Sequence, residues 1–263
     1  MPRLIITAAN AADQIRQRER RIESEPGQSI TGCLARRYPY CSLNHTRKVA
    51  DLIPISPRPR WHELIIAGEG TFLHDATKNV LPPHDQGGTN YCWAHGSVRA
   101  VEALRIYEGQ TPIILSAESV AVPLTGGRNR GGSPDEAVQQ LQDYGCCDQI
   151  YWPKNQRNQH AAADGWEKER ENHCILDWID VLGWDAQITL ALHRIPVAIG
   201  LAWWGHLVCQ LDPVILPNGE VGIGFDNSWG ADYGENGYAY LDEQQGTADL
   251  GAFAPLSETF SLT

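Results

Sequence analysis

The most regular hydrophobic pattern in the chain surrounds a cysteine. Its apolar positions recur at three- or four-residue steps and are Ala94, Val98, Val101 and Leu104. This spacing predicts an amphipathic helix over residues 91–108, with one face buried and Cys92 in the first turn. The unpaired backbone amides and the positive dipole end of a helix start favour a thiolate. The alternative for a cysteine taken alone is a small buried apolar residue.

The hydrophobic pattern is weaker before this helix. Residues 10–23 predict a helix capped by Asn10, but its many arginines and glutamines leave little apolar face, so it is either exposed or docked on another surface. Residues 28–60 contain four prolines and no sustained period, which predicts an extended arm that needs a surface, with partial disorder as the alternative. Short strands are predicted at 52–55 and 64–66.

After the Cys92 helix, capping signals become the main guide. Ser116 caps a predicted short helix to Val122. Ser133 begins a Ser-Pro-Asp-Glu sequence, in which a capping serine, a proline at the first helical position and a glutamate three residues on predict a helix to residue 144. Residues 169–182 predict another helix, and 196–202 predict a buried strand.

Two apolar runs, residues 207–215 and 220–225, flank a Pro-Asn-Gly turn and predict a β-hairpin. Pairing outward from this turn places His206 opposite position 229. Asn227 is then within two residues of His206 on the neighbouring strand. An asparagine beside a histidine can hold the imidazole in one tautomer, as in a Cys-His-Asn arrangement.

The charge is distributed unevenly along the chain. Residues 1–60 hold eleven Lys or Arg against five Asp or Glu, whereas the other 203 residues hold ten against twenty-seven. The basic leader could bind a partner's acidic face, the chain's own acidic body or nucleic acid. Nucleic acid is the least favoured of these, because no aromatic interleaving or nucleic-acid motif accompanies the arginines.

Composition also limits where in the cell the protein is expected and which cofactors it is expected to bind. No apolar run reaches membrane-spanning length, and the first ten residues lack the pattern of a secretory signal. The seven cysteines are an odd number without paired spacing, which argues against a disulfide framework. A cytoplasmic or otherwise intracellular protein is expected, with membership of an assembled particle as a further option. No cysteines or histidines have zinc-site spacing, so neither a metal nor another cofactor is predicted.

Several ordered motifs resemble those of the papain-like cysteine peptidases. They are Gln86-Gly87, Cys92-Trp93-Ala94, Gly131-Gly132 with the helix after it, Pro196-Val197-Ala198-Ile199, Asn227-Ser228-Trp229-Gly230 and Gly234-Glu235-Asn236-Gly237-Tyr238. The resemblance covers roughly residues 72–240, and the order Gln, Cys, His, Asn is that of the family.

This resemblance implies a role for each matched residue. Cys92 would be the nucleophile and His206 its base and acid, while Gln86 would help to form the oxyanion hole and Asn227 would orient His206. Three further positions are expected to contact substrate or shield the site, namely Gly131, Gly132 and Trp229.

The resemblance also implies an α+β class and a papain-like two-lobed fold, with a helical lobe whose nucleophile helix packs against an antiparallel β-barrel-like lobe. The expected division is a basic, Pro-rich extension over 1–65 and a papain-like domain over 66–263. Within that domain the helical lobe spans about 66–160 and the β lobe about 185–245.

The chain departs from the family pattern at several places. Thr89 and either Arg128 or Arg130 stand where secreted relatives carry disulfide cysteines, which supports a reducing compartment. His95 replaces the usual aromatic residue and either perturbs the thiolate or is a satisfied, half-buried side chain. The loop before His206 is short, and the leader lacks the helical signature of the family's usual inhibitory propeptide.

Two classes of function remain open. One is a thiol endopeptidase that cleaves peptide or protein substrates through an acyl-enzyme on Cys92. The other is a papain-fold structural or interaction module of a larger assembly, with residues 1–60 docked on a protein partner. A transferase or amidase with the same Cys-His dyad is a third, less favoured option, because no sequence feature identifies an acceptor.

Overall fold

A mixed sheet and a long helix across it organise the chain in the computed structural model, which describes residues 3–23, 31–38 and 47–256. The α-helices are α1 Ala11–Arg21, α2 Val49–Leu52, α3 Trp61–Gly68, α4 Leu73–Thr77, α5 Cys92–Tyr107, α6 Glu118–Thr125, α7 Pro134–Asp143, α8 Trp166–Glu169, α9 Trp184–Leu192 and α10 Glu243–Gly246. Short 3₁₀ turns lie at Arg58–Arg60, Gln159–Ala161 and Arg170–His173.

The strands form one sheet of eight within the described residues, in the order β1-β7-β6-β5-β4-β8-β3-β2. They are β1 Ile5–Ile6, β2 Arg47–Lys48, β3 Asp177–Asp180, β4 Val197–Leu201, β5 His206–Ile215, β6 Val221–Asp226, β7 Tyr238–Leu241 and β8 Gly251–Leu256. The two outermost pairs, β1 with β7 and β2 with β3, are parallel, and the inner pairs are antiparallel. The class is therefore α+β, as predicted.

Two hydrophobic clusters give the molecule its two-lobed architecture. One joins the sheet to α3 and α9, and the other joins α5, α6 and α7. The helix α5 packs on β4 and β5 between them. A Cβ at Gly96 would overlap the Leu207 side chain, so glycine permits this close approach of α5 to β5. The nucleophile helix therefore lies against the sheet, as the resemblance implied.

The hairpin register that was read from the turn is confirmed. Near the turn Ile215 pairs with Val221, and beyond an irregularity between Gln210 and Asp212 the pairing of Cys209 with Asp226 shifts by one position. This single-residue shift, of the kind a β-bulge produces, brings the end of β6 into the predicted register with the start of β5.

The Ser133 capping box and the helix that follows it are also confirmed.

Three element predictions are wrong, and each has a physical reason. Residues 64–66 are helical because Trp61, Ile65 and Gly68 form one buried helical face rather than an alternating strand. Residues 52–55 are not a strand, because α2 ends at Leu52 and the chain continues as an irregular segment. Residues 169–182 contain strand β3 instead of a helix, since this segment pairs with the remote strand β8.

The predicted leader helix is α1, and it docks on the body of the chain. Gln14 and Arg18 are its buried residues, and Asn10 stands at its start without a side-chain cap. The extended-arm prediction is tested only in part, because residues 24–30 and 39–46 lie outside the described residues. The proposed boundary at residue 65 remains a prediction.

The basic leader forms ion pairs with the acidic body. Arg36 pairs with Asp180, Arg37 with Glu136, and Arg58 with both Asp185 and Glu243. Of the surfaces considered for the leader, the chain's own acidic body is therefore the one that the described residues contact. No helix in the described part of the chain is long and apolar enough to cross a membrane.

Asp212 on β5 generates a prediction about stability. It is 6% exposed and accepts hydrogen bonds from the Tyr238 hydroxyl at 2.6 Å and the His74 backbone N–H at 3.0 Å. Burial raises the pKa of this carboxyl from 3.8 to about 7, although both hydrogen bonds act in the opposite direction. The folded state therefore binds the proton more tightly than the unfolded state does.

We expect this stabilisation to be fully present below about pH 4 and to be lost as the pH rises through about 7. In Asp212→Asn, which cannot ionise, the free energy of unfolding should rise relative to wild type by up to about 4 kcal/mol between pH 4 and pH 8. Urea unfolding at both pH values measures the difference. The exposed Asp164→Asn variant is the control, and an Asp212→Asn difference that is equal at both pH values would contradict this account.

Candidate active site

The nucleophile candidate lies where α5 begins. Cys92 is the first residue of α5 and is 1% exposed. Backbone N–H groups of Leu207, Trp93 and Cys92 itself interact with its sulfur. Because Leu207 directly follows His206, the start of β5 lies against the start of α5, and two of the predicted residues come together there.

Asn227 fixes the tautomer of His206. The Asn227 Oδ1 atom accepts the Ser228 backbone N–H at 2.8 Å and also contacts His206 Nε2 at 2.7 Å. A backbone N–H only donates, so the shared atom is the amide oxygen, and His206 must carry a proton on Nε2. In the neutral ring Nδ1 is then the basic nitrogen. It is buried and has no hydrogen-bond partner among the described residues.

Two aromatic rings shield the histidine. The Trp229 ring lies 5.0 Å from the His206 ring, centroid to centroid, and the Trp204 ring lies 4.8 Å away. Trp229 is 2% exposed, which fits the expected shield over the His206–Asn227 hydrogen bond. Arg21 of the leader covers the other side of Trp229, at 5.4 Å from its ring centroid. A direct contact of Trp229 with substrate stays a prediction.

Gln86 is anchored beside the same strand end. Its Oε1 accepts the Ser228 hydroxyl at 2.6 Å, and its backbone N–H donates to the Ser228 carbonyl at 2.9 Å. One side-chain N–H of Gln86 donates to the Thr89 carbonyl at 2.5 Å. A primary amide has two such N–H groups, so the second can serve a developing oxyanion. Ser228, which belongs to the Asn-Ser-Trp-Gly motif, thus links Gln86 to Asn227.

The glycine pair holds a peptide backbone, and that backbone is the leader. The Gly132 N–H donates to the Gly32 carbonyl at 3.1 Å, and the Leu34 N–H donates to the Gly132 carbonyl at 3.0 Å. A Cβ at Gly131 would collide with the Thr31 and Gly32 carbonyl oxygens. Glycine is therefore required at this position for a polypeptide to approach so closely.

The leader is held from the opposite side as well. The N–H groups of Gly32 and Cys33 both donate to the Gly205 carbonyl, at 3.1 and 3.0 Å. The buried Arg18 of α1 donates to the same oxygen at 2.8 Å. A Cβ on Gly32 would lie 2.6 Å from the Cys92 sulfur, so the backbone of Gly32 covers the thiol.

Sequence reasoning missed Arg18, Gly32 and Gly205 as parts of this site. Gly32 and Arg18 lie at least 60 positions before the cysteine, and no local pattern links them to it. Gly205 could have been predicted, because it directly precedes the predicted histidine. In the structure it has a positive φ of 59° in the short turn after β4. The short loop before His206 is therefore a tight turn whose carbonyl binds the leader.

Burial under the leader sets the protonation of the dyad. It raises the pKa of Cys92 to about 11, although the three backbone N–H groups and Arg18 act in the opposite direction. It lowers the pKa of His206 to about 3, although the hydrogen bond that His206 donates to Asn227 acts in the opposite direction. This is the reverse of the thiolate expected from a helix start alone. At neutral pH the covered site thus holds a thiol and a neutral imidazole.

His95, where the chain departs from the family pattern, is 2% exposed rather than half-buried, and its ring contacts another histidine, His84.

The described residues contain no group of three His, Cys, Asp or Glu side chains placed to hold a metal ion. The chemistry that this site offers is therefore that of Cys92, His206, Asn227 and Gln86.

Two kinds of sequence comparison were made before the solved structures were compared. No protein-family model matches the chain. A protein from Theileria annulata described as "Cysteine proteinase" is 25% identical over 188 residues, which cover 63% of this chain. The chain spans about two fifths, 41%, of that relative's length.

Solved structures match more of the chain. Xylellain, a cysteine protease from Xylella fastidiosa, has a TM-score of 0.62 at 16% identity and covers 89% of this chain and 99% of its own. Digestive procathepsin L 3 of Tenebrio molitor has a TM-score of 0.62 at 15% identity, with coverages of 94% and 90%. The bromelain protease of Ananas comosus, in complex with the E64 inhibitor, has a TM-score of 0.57 at 18% identity, with coverages of 68% and 94%. The chain therefore has the papain-like fold, and the solved structures that it resembles are papain-like cysteine proteases.

Proposed function

We propose that this chain is a thiol endopeptidase whose leader holds it in a latent state. The observation that carries the proposal is the orientation of His206. Asn227 fixes Nε2 as the protonated nitrogen, so Nδ1 is the base available to a thiol. A structural module would not require a buried imidazole with an unpartnered basic nitrogen beside a helix-start cysteine.

The reaction follows from these positions. His206 Nδ1 takes the proton of the Cys92 thiol, and the sulfur attacks the peptide carbonyl carbon. The oxyanion that forms is stabilised by the free side-chain N–H of Gln86 and the backbone N–H of Cys92, at about 3 kcal/mol per donor. When the C–N bond breaks, the imidazolium of His206 gives its proton to the leaving amine.

A thioester on Cys92 remains after the amine leaves. Water then attacks this thioester while His206 Nδ1 takes a proton from it. The C–S bond breaks, the sulfur recovers its proton from His206, and the carboxylic acid product leaves. The four side chains thus complete a hydrolysis without any further group.

Two features of the cleft support peptides as substrates. The glycine pair at 131–132 and the Gly205 carbonyl already bind an extended polypeptide backbone, that of residues 32–34. The leader is described on both sides of this segment, up to residue 23 before it and through residue 38 after it. A cleft that accepts a chain extending in both directions fits an endopeptidase rather than an enzyme that needs a chain end.

The leader explains the latent state. It occupies both backbone-binding positions, places Gly32 over the sulfur, and excludes the water that would stabilise an ion pair of Cys92 and His206. The arm that motivated a structural module lies on its own body wherever it is described. A protein partner for residues 1–60 stays a prediction, and so does an intracellular location.

Displacing the leader should expose the thiol. In full-length Gly32→Leu the added side chain cannot fit over the Cys92 sulfur. We therefore expect iodoacetamide to alkylate Cys92 at least about tenfold faster than in wild type, which corresponds to a decrease of about 1.4 kcal/mol in the free energy of activation. Peptide mapping by mass spectrometry measures the rate at Cys92. The exposed Cys174 provides an internal reference in both proteins.

Ala12→Leu is the matched control, because it enlarges the exposed face of α1 and leaves the cleft alone. Equal Cys92 alkylation in Gly32→Leu and wild type, with Cys174 labelled normally, would show that the leader does not guard the site.

The opened chain should hydrolyse peptides through Cys92. In the Gly32→Leu background we expect Cys92→Ala to abolish hydrolysis of a denatured protein substrate, and Gln86→Ala to lower kcat by about 10²–10³ because one oxyanion donor is lost. An epoxide thiol-protease inhibitor should label Cys92. Gln139→Ala, on the outer part of α7, is the control for loss of a glutamine amide. Hydrolysis that survives Cys92→Ala would exclude this mechanism.

A further inference from the structure

A pair of histidines lies close to the candidate active site, beside a small buried cavity that Asn227 and Ser228 also line. The Nδ1 atoms of His84 and His95 are 3.0 Å apart, and the rings are nearly perpendicular, at 87°. The two residues are 7% and 2% exposed. Two ring nitrogens at this distance form a hydrogen bond only when they share one proton.

Carboxylates stand at both ends of the pair. His84 Nε2 is 3.0 Å from both oxygens of Glu102, and a carboxylate only accepts, so Nε2 carries a proton. His95 Nε2 lies 3.7 Å from Glu118 Oε1. Burial alone would raise the pKa of Glu102, but His84 and Arg99 lower it below its usual value. Glu118 shows the same direction, with His95 opposing the effect of burial.

Arg99 extends this network to the sheet. Its guanidinium lies 3.1 Å from Glu102 and 2.6 Å from Asp226, and Arg99 is 4% exposed. Glu102 also accepts the Leu115 backbone N–H at 2.7 Å. The buried charges are thus three carboxylates, those of Glu102, Glu118 and Asp226, against one guanidinium and the imidazole pair.

Three residues of this network lie within three positions of a candidate catalytic residue in the sequence. His84 is two positions before Gln86, His95 is three positions after Cys92, and Asp226 directly precedes Asn227. These three residues belong to separate segments, which are the loop before α5, the helix α5 and the strand β6. One buried set of contacts therefore fixes the segments that carry the oxyanion donor, the nucleophile and the residue orienting the histidine.

We propose that His84 and His95 are positioning residues for the reaction under "Proposed function", on which this inference rests: the single proton between their Nδ1 atoms locks the Gln86 segment to α5. Without this hydrogen bond the Gln86 segment is no longer held against α5, and Gln86 loses its fixed place relative to Cys92.

Two substitutions at His95 separate positioning from simple packing. The side-chain amide in His95→Asn lies near the former Nδ1 atom and can donate to or accept from His84. His95→Leu fills the space and removes the hydrogen bond. Both are made in the full-length Gly32→Leu chain, and kcat and KM are measured at pH 7 on the same denatured protein substrate.

We expect His95→Leu to lower kcat about tenfold at pH 7 with little change in KM, and His95→Asn to retain more of kcat than His95→Leu does. His173→Asn is the matched control, since His173 is a buried histidine bonded to Glu169 at 2.9 Å outside the network.

A spectroscopic measurement on the unaltered full-length chain tests the shared proton directly. With ¹⁵N-labelled histidine, NMR should show scalar coupling between the two Nδ1 atoms at pH 7.5, and this coupling should be absent in His95→Asn. Absence of the coupling in the unaltered chain would overturn the proposal even if the chain hydrolyses peptides. A kcat of His95→Leu equal to that of His173→Asn would also overturn it. If no opened variant hydrolyses peptides while the coupling is present, the proposed function fails and the positioning role fails with it.

Discussion

The structure depends most on the close contact of the leader backbone with the cleft. Gly32 lies between the Gly132 N–H and the Gly205 carbonyl, with its backbone over the Cys92 sulfur. Only backbone without side chains can approach on both sides at this separation, so glycine is needed in the leader and in the cleft wall. The contact removes water from the dyad, and the loss of water disfavours the charged forms of Cys92 and His206.

The contacts that orient the site are already in place, since Asn227 orients His206 and Ser228 anchors Gln86. His206 Nδ1 has no hydrogen-bond partner among the described residues, so it is not bonded to the Cys92 thiol while the leader is in place. Burial also favours a thiol and a neutral imidazole. The proposed latent state therefore rests both on the covering of Cys92 and on the missing contact between Cys92 and His206.

The sequence was most informative where local rules and tertiary packing agree. The Cys92 helix follows from its 3.6-residue period, although residues 92–104 are all buried rather than on one face only. The hairpin follows from its turn, so His206 and Asn227 could be paired before the fold was known. Prediction failed where remote partners decide the outcome. Residues 177–180 have a helical pattern but pair with β8, more than 70 positions away, and the leader's place in the cleft depends on glycines about 100 positions apart. The His84–His95 contact had no local signal either, because the two residues sit on different segments.

The central claim is that Cys92 and His206 are both uncharged in the covered chain. The thiolate absorbs ultraviolet light and the thiol does not, so a pH titration of full-length wild type against Cys92→Ala isolates the ionisation of Cys92. The account predicts no Cys92-dependent thiolate signal at pH 7 and its appearance only as the pH approaches about 11. A Cys92-dependent thiolate signal at pH 7 in the covered wild-type chain would contradict it.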